Sequence, residues 1–178
     1  DNKEFNIEGY PSNNFVNKVL EIKPDQVTLV PDPPGALTSS FGWNCNENKD
    51  LLKKVISKFR TSNIRVSIFV NPSIETLDNL EEIKTDRVEL YTYDFAHYFD
   101  DNKTKSIEPY VEVVNYLNKK FPTVELNAGH DLNLKNLAFF LEKITNIKEV
   151  SIGHALICDT FEFGLKETIK KYLSLTKN

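Results

Sequence analysis

The sequence predicts an α/β fold, a parallel β-sheet covered by helices. Short β-branched runs alternate with longer segments of helical spacing, six times along the chain, at intervals of roughly 20 to 40 residues. Strict alternation of this kind sets strands side by side in parallel, with the connecting helices laid over the sheet. The composition agrees. The chain has 178 residues, 40% apolar and 27% charged, with a formal net charge of −4. That describes an ordinary globular chain, long enough for one domain with a sizeable core.

The elements follow in order. Residues 5–8 form the first strand and end in Glu8-Gly9-Tyr10-Pro11. Residues 14–22 place Phe15, Val16, Val19 and Leu20 at helical spacing, and Pro24-Asp25 stops the helix. Residues 26–30 (QVTLV) are a strand, and residues 31–46 a long loop rich in Pro, Gly, Ser and Asn. Residues 49–59 carry Leu52, Val55, Ile56 and Phe59 on one helical face, and residues 64–70 (IRVSIFV) are the clearest buried strand. Residues 74–83 are helical, residues 87–91 (RVELY) a strand, and residues 92–105 irregular, with an exposed Asp-Asp-Asn-Lys stretch. A helix over 108–121, a strand over 123–127 and a helix over 134–144 come next. A strand over 149–152 and a final helix over 161–175 complete the pattern, the helix with Leu165, Ile169 and Leu173 on one side.

Several function classes are disfavoured. No apolar run approaches the ~20 residues of a membrane span, and the polar start Asp1-Asn2-Lys3-Glu4 is not a signal peptide. The acidic balance argues against a nucleic-acid footprint, which wants a basic face. Cys45 and Cys158 stand far apart, without Cys or His at metal-ligand spacing, and read as reduced thiols of a cytoplasmic protein rather than a disulfide scaffold. No GxGxxG follows the first strand, so a dinucleotide fold lacks its signature. No metal site is visible. The chain contains no methionine, which raises the expectation of a chain cut at its N-terminus.

In parallel α/β folds the site forms at the carboxyl ends of the strands, and the unusual residues collect there. Strand one ends in Glu8-Gly9. Strand two ends in Pro31-Asp32 and leads to Thr38-Ser39-Ser40. Strand four carries Glu89 and then Thr92. Strand five ends in Asn127-Ala128-Gly129-His130, and strand six in Gly153-His154. A glycine before a helix lets backbone approach a ligand, and the helix start offers N–H groups and a positive dipole end to a phosphate. Each Gly-His also reads as an ordinary turn, and Glu8 and Glu89 also read as rim residues held in ion pairs. His97 and Trp43 read as packing residues.

Seven motifs occur in order: Asn6-Ile7-Glu8, Leu29-Val30-Pro31, Leu37-Thr38-Ser39, Val66-Ser67-Ile68-Phe69, Glu89-Leu90-Tyr91-Thr92, Asn127-Ala128-Gly129-His130 and Ile152-Gly153-His154-Ala155. Together they resemble the pyridoxine 5′-phosphate synthase family of vitamin B6 biosynthesis, over nearly the whole chain. The resemblance implies a (β/α)8 TIM barrel of which this chain covers about strands 3 to 8, a single partial domain over residues 1–178 lacking the first two β/α units. It implies a condensation of 1-deoxy-D-xylulose 5-phosphate with 3-amino-2-oxopropyl phosphate to pyridoxine 5′-phosphate, phosphate and water, with no cofactor. It casts Glu8 as general acid/base, His130 as proton donor and Glu89 as the carboxylate that stabilises the transition state. Thr38 would contact the deoxyxylulose phosphate. Asp131, Gly153 and His154 would line the site of the aminooxopropyl phosphate. Homo-oligomeric assembly, up to an octamer, is implied as well, with no nucleic-acid or membrane partner.

The family commonly has Gly where this chain has Asp131, and His-Thr-Gly where it has Tyr91-Thr92-Tyr93. The Asn-x-Asp-His strand end and the His-x-Arg segment of the family's first units have no counterpart here. Two other readings stand beside the synthase. One is an incomplete or degenerate barrel that binds phosphate esters without catalysis. The other is an isomerase- or aldolase-type barrel, which would want a Schiff-base lysine inside a strand.

Overall fold

Side chains of period two decide the sheet. A computed structural model describes residues 3–176. Its strands are β1 (Asn6–Gly9), β2 (Gln26–Leu29), β3 (Arg65–Val70), β4 (Arg87–Tyr91), β5 (Glu125–Gly129) and β6 (Ile147–Ser151). They form one sheet in the order β1-β2-β3-β4-β5-β6, every pair parallel. Sequential order with a crossover after each strand is how a β/α barrel wall is built. Val27, Leu29, Val66, Ile68, Val88, Leu90, Leu126 and Ala128 alternate along the strands and are buried in the hydrophobic core. The intervening positions are polar: Glu8, Thr28, Ser67, Glu89 and Asn127. Register sets Glu8 beside Thr28, Thr28 beside Ser67, Glu89 beside Asn127, and Gly129 beside Ser151.

The helices cover the apolar face. They are α1 (Asn13–Ile22), α2 (Lys49–Thr61), α3 (Leu80–Ile83), α4 (Tyr93–Lys120), α5 (Leu137–Lys143), α6 (His154–Phe163) and α7 (Leu165–Leu175). Ser12 caps α1 by accepting from the Phe15 N–H at 3.2 Å, and α2 buries Leu52, Val55, Ile56 and Phe59 as its spacing predicts. Among the described residues no helix is long and apolar enough to cross a membrane.

Three expectations need correction. Residues 74–83 are not one helix: a 3₁₀ turn (Ile74–Thr76) and the single turn of α3 are separated by Leu77-Asp78-Asn79. Residues 92–105 are helical rather than irregular, because α4 is two helices joined at Asn102, whose backbone is extended (φ −160°, ψ 89°). There the Asn102 carboxamide oxygen accepts from the Lys105 N–H at 3.0 Å, the geometry of an N-cap. The polar tip that resembled a loop is a helix-to-helix corner, exposed as expected. Residues 161–175 are split by Gly164 at φ 76°, a left-handed conformation that Gly tolerates and that ends α6. The stripe of Leu165, Ile169 and Leu173 does lie on one side of α7, but it faces solvent, at 55%, 40% and 53% exposure, while Thr168 and Tyr172 are buried.

The N-terminal ends of the strands close on ions. Arg87 is 8% exposed and donates from Nε to Glu125 (2.8 Å) and from Nη1 to Gln26 Oε1 (3.1 Å) and to Glu149. Arg65 donates to Gln26 Oε1 (2.7 Å) and pairs with Glu4. Lys148, which falls within β6, is exposed and lies 3.8 Å from Glu125 at this same end. It is not placed for imine chemistry at the other.

Candidate active site

At the carboxyl ends of the strands lies a cleft of about 790 Å³. Glu8, Thr38, Glu89, His130, Asp131, Gly153 and His154 all stand in its walls. Six come from the ends of β1, β4, β5 and β6, and Thr38 from the long loop after β2. The loop reaches the cleft because the Asp32 carboxylate accepts from the Ser40 N–H and hydroxyl, each at 3.0 Å, tying its stem. Trp43 anchors the rest, donating from Nε1 to the Leu29 carbonyl at 2.8 Å. That confirms its packing role.

Glu89 is the more strongly perturbed of the cleft's two glutamates. It is 1% exposed, and its Oε2 has no hydrogen-bond partner. Burial pushes its carboxyl up to about 7, Glu8 adds like-charge repulsion, and the hydroxyls of Ser151 and Thr28 partly oppose the rise. Glu8 is exposed on the edge strand, yet its pKa is raised as well, through desolvation first and then the charge of Asp32. Solvent screens that effect, so Glu8 is the more weakly perturbed of the pair. Gly129 serves Glu89: a Cβ there would stand 2.2 Å from Glu89 Oε1. The strand-end glycine makes room for the carboxylate, not for a ligand as its position suggested.

His130 sits at φ 88° and Asp131 at φ 58°, both left-handed. Such a conformation is uncommon outside Gly, although Asp and His are among its more tolerated occupants, and it marks stored strain. The conformation is held by Thr92, whose hydroxyl donates toward the carbonyls of Gly129 (2.8 Å) and His130 (2.5 Å). The His130 Nε2 hydrogen-bonds Thr38 Oγ1 at 3.0 Å. On the other side of the ring, Asp131 Oδ2 lies 3.1 Å from Nδ1, near enough for Coulombic attraction but out of line for a hydrogen bond.

The two Gly-His junctions differ. After His130 the chain runs through a turn before α5 begins at Leu137, so no helix start faces the cleft there. After Gly153, α6 begins at once. No side chain caps it, and the space beside Gly153 is open. Its first N–H groups and positive dipole end therefore suit an anion. Lys18 of α1, Tyr10, Asp32 and Ser151 also line the cleft. Sequence reasoning noted Asp32 at its strand end but passed over Lys18, Tyr10 and Ser151, because a lysine on an exposed helix face, or a hydroxyl in a turn or strand, carries no mark of a site.

The comparisons with known proteins fit this geometry. A family profile described as pyridoxal phosphate biosynthesis protein PdxJ matches residues 2–178. The chain belongs to the PdxJ family. Pyridoxine 5′-phosphate synthase of Parabacteroides distasonis is 49% identical over 169 residues, covering 95% of this chain and 70% of that protein. The synthase of Flavobacterium johnsoniae is 48% identical over 174 residues, covering 98% and 73%. In fold, a mutant tryptophan synthase α-subunit from Pyrococcus furiosus aligns with a TM-score of 0.57 at 15% identity, over 95% of this chain and 66% of that one. Asp131 and Tyr91 both touch His130.

Proposed function

We propose that the cleft carries out the ring-closing condensation of pyridoxine 5′-phosphate synthase, joining 1-deoxy-D-xylulose 5-phosphate to 3-amino-2-oxopropyl phosphate and releasing phosphate and water. The observation that carries this reading is the convergence of Glu8, Glu89, His130 and Thr38 with the uncapped start of α6 on one cleft. Imine formation, dehydration and ring closure need repeated proton transfers, which carboxylates and an imidazole perform in both directions near neutral pH. Glu8 acts as general acid/base, His130 as proton donor, and Glu89 stabilises the charge that develops. Thr38 contacts the deoxyxylulose phosphate. The backbone N–H groups of Gly153 and His154 hold the other phosphate, beside Asp131, which accounts for an acidic chain that takes anionic substrates. The reading calls on no metal or organic cofactor.

Two further β/α units preceding β1 complete the barrel in this reading, and the whole enzyme is a cytoplasmic homo-oligomer. The open edges β1 and β6 support it, as an uncovered strand edge is an aggregation hazard that barrel closure removes. For the 178 residues alone, the exposed position of Glu8 on edge strand β1 favours the second reading, phosphate-ester binding without turnover.

The test is turnover by the complete gene product. Glu8→Gln or His130→Asn is expected to lower it by about 10²- to 10⁴-fold with an unchanged circular dichroism spectrum. Near-normal rates in both variants would overturn the assignments.

A further inference from the structure

Beside the cleft, one aromatic side chain contacts both His130 and the loop that carries Thr38 without lining the cleft itself. The Tyr91 ring meets the His130 imidazole edge to face, with centroids 4.8 Å apart at 86°. Its hydroxyl donates to the Ser39 carbonyl at 3.2 Å, the residue next to Thr38. Thr38 Oγ1 and His130 Nε2 in turn lie 3.0 Å apart. Tyr91 is itself held: Phe69 packs at 5.1 Å, Tyr93 stacks at 6.0 Å, and the buried Tyr110 hydroxyl donates to the Tyr91 carbonyl at 2.9 Å.

We propose that Tyr91 is a positioning residue that assembles the His130–Thr38 pair before substrate arrives. Its ring fixes the imidazole plane and its hydroxyl fixes the loop that carries Thr38. The need for it follows from the geometry. His130 stands on strained left-handed backbone at a strand end, and Thr38 on a long irregular loop, exposed at its tip. Neither is held in place by regular secondary structure, and a misplacement of 1 Å in such a pair costs about 10²-fold in rate. An edge-to-face aromatic contact sets a ring plane where a hydrogen bond to Nε2 alone leaves it free to tilt. Burial and the charges of Asp131 and Asp94 push the Tyr91 phenol up to about 12, so it stays a donor to Ser39 at every working pH.

The inference rests on the proposed synthase reading, and its test separates the two. Tyr91→Phe keeps the ring and loses the hydroxyl. It is expected to raise KM for the deoxyxylulose phosphate about 5-fold, the value of one neutral hydrogen bond, with kcat within twofold. Tyr91→Leu loses both and is expected to lower kcat about 10-fold or more as well. A long-range ¹H–¹⁵N NMR spectrum of the imidazoles serves as the readout independent of activity. His130 ring signals should hold in Tyr91→Phe and move in Tyr91→Leu, while those of His154 stay. Unchanged KM and kcat in both variants would overturn the proposal. Should the wild-type gene product fail to turn over, the synthase reading falls, and the NMR comparison decides for or against Tyr91 alone. Should Tyr91→Leu fail to fold, an unchanged KM in Tyr91→Phe is enough to overturn it.

Discussion

Glu89 shows how one residue's surroundings set both chemistry and stability. With its folded pKa near 7 and an ordinary value of 4.5, the native state binds a proton that the unfolded chain has released. The stability that Glu89 contributes is therefore fully present below about 4.5 and is lost as pH rises to about 7, by on the order of 3 kcal/mol. Urea unfolding at pH 5 and pH 8 is expected to show that decline in the wild type and not in Glu89→Gln. In Glu8→Gln, the Glu89 carboxyl should titrate at lower pH by ¹³C NMR, because one repelling charge is gone. Glu8, Glu89 and His130 were legible as candidates from their places at strand ends. That Glu89 is wholly buried, and that Gly129 exists to admit it, was not, because both depend on the neighbouring strand's register.

The elements show where local signals suffice. Helix α2 and strands β3 and β4 follow from periodicity because their apolar faces meet the core throughout. The corner at Asn102 does not, since Asp-Asp-Asn-Lys suits an exposed loop and a helix N-terminus equally well. Asn102→Ala is expected to cost about 1 kcal/mol by removing the cap, read as a fall in Tm with the cleft unchanged. The bounds of helix α6 were not legible because its residues show no strong apolar stripe, and none of them is buried. Its placement matters most for function, since it supplies the anion-binding N–H groups.

At the scale of the molecule, the two ends of the sheet divide the work. The N-terminal end holds the ionic network around Arg87, and the carboxyl end the cleft. Arg87→Ala removes the guanidinium that Glu125 and Glu149 share and is expected to destabilise by roughly 1 to 3 kcal/mol in denaturant unfolding, since both carboxylates stay partly solvated. Phe161, Ile157, Leu165 and Leu173 stand more than half exposed on the neighbouring helices α6 and α7. The 178-residue chain is accordingly expected to bind a hydrophobic dye and to self-associate. A gene product carrying two further β/α units is expected to bind less dye and to form only a defined homo-oligomer. Equal dye binding by both would count against barrel completion.

The sequence by itself determined the α/β alternation, the parallel sheet and the strand ends at which chemistry-bearing residues collect. These rest on periodicity and on residue order, which are local properties. Only the tertiary structure decided that seven candidates from four strand ends and a distant loop share one cleft. It alone showed that His130 is strained, that one Gly-His opens a helix and the other does not, and that the stripe on α7 faces outward. Each of these turns on which surfaces meet across the sheet, and contacts between residues far apart in the chain leave no periodicity to read.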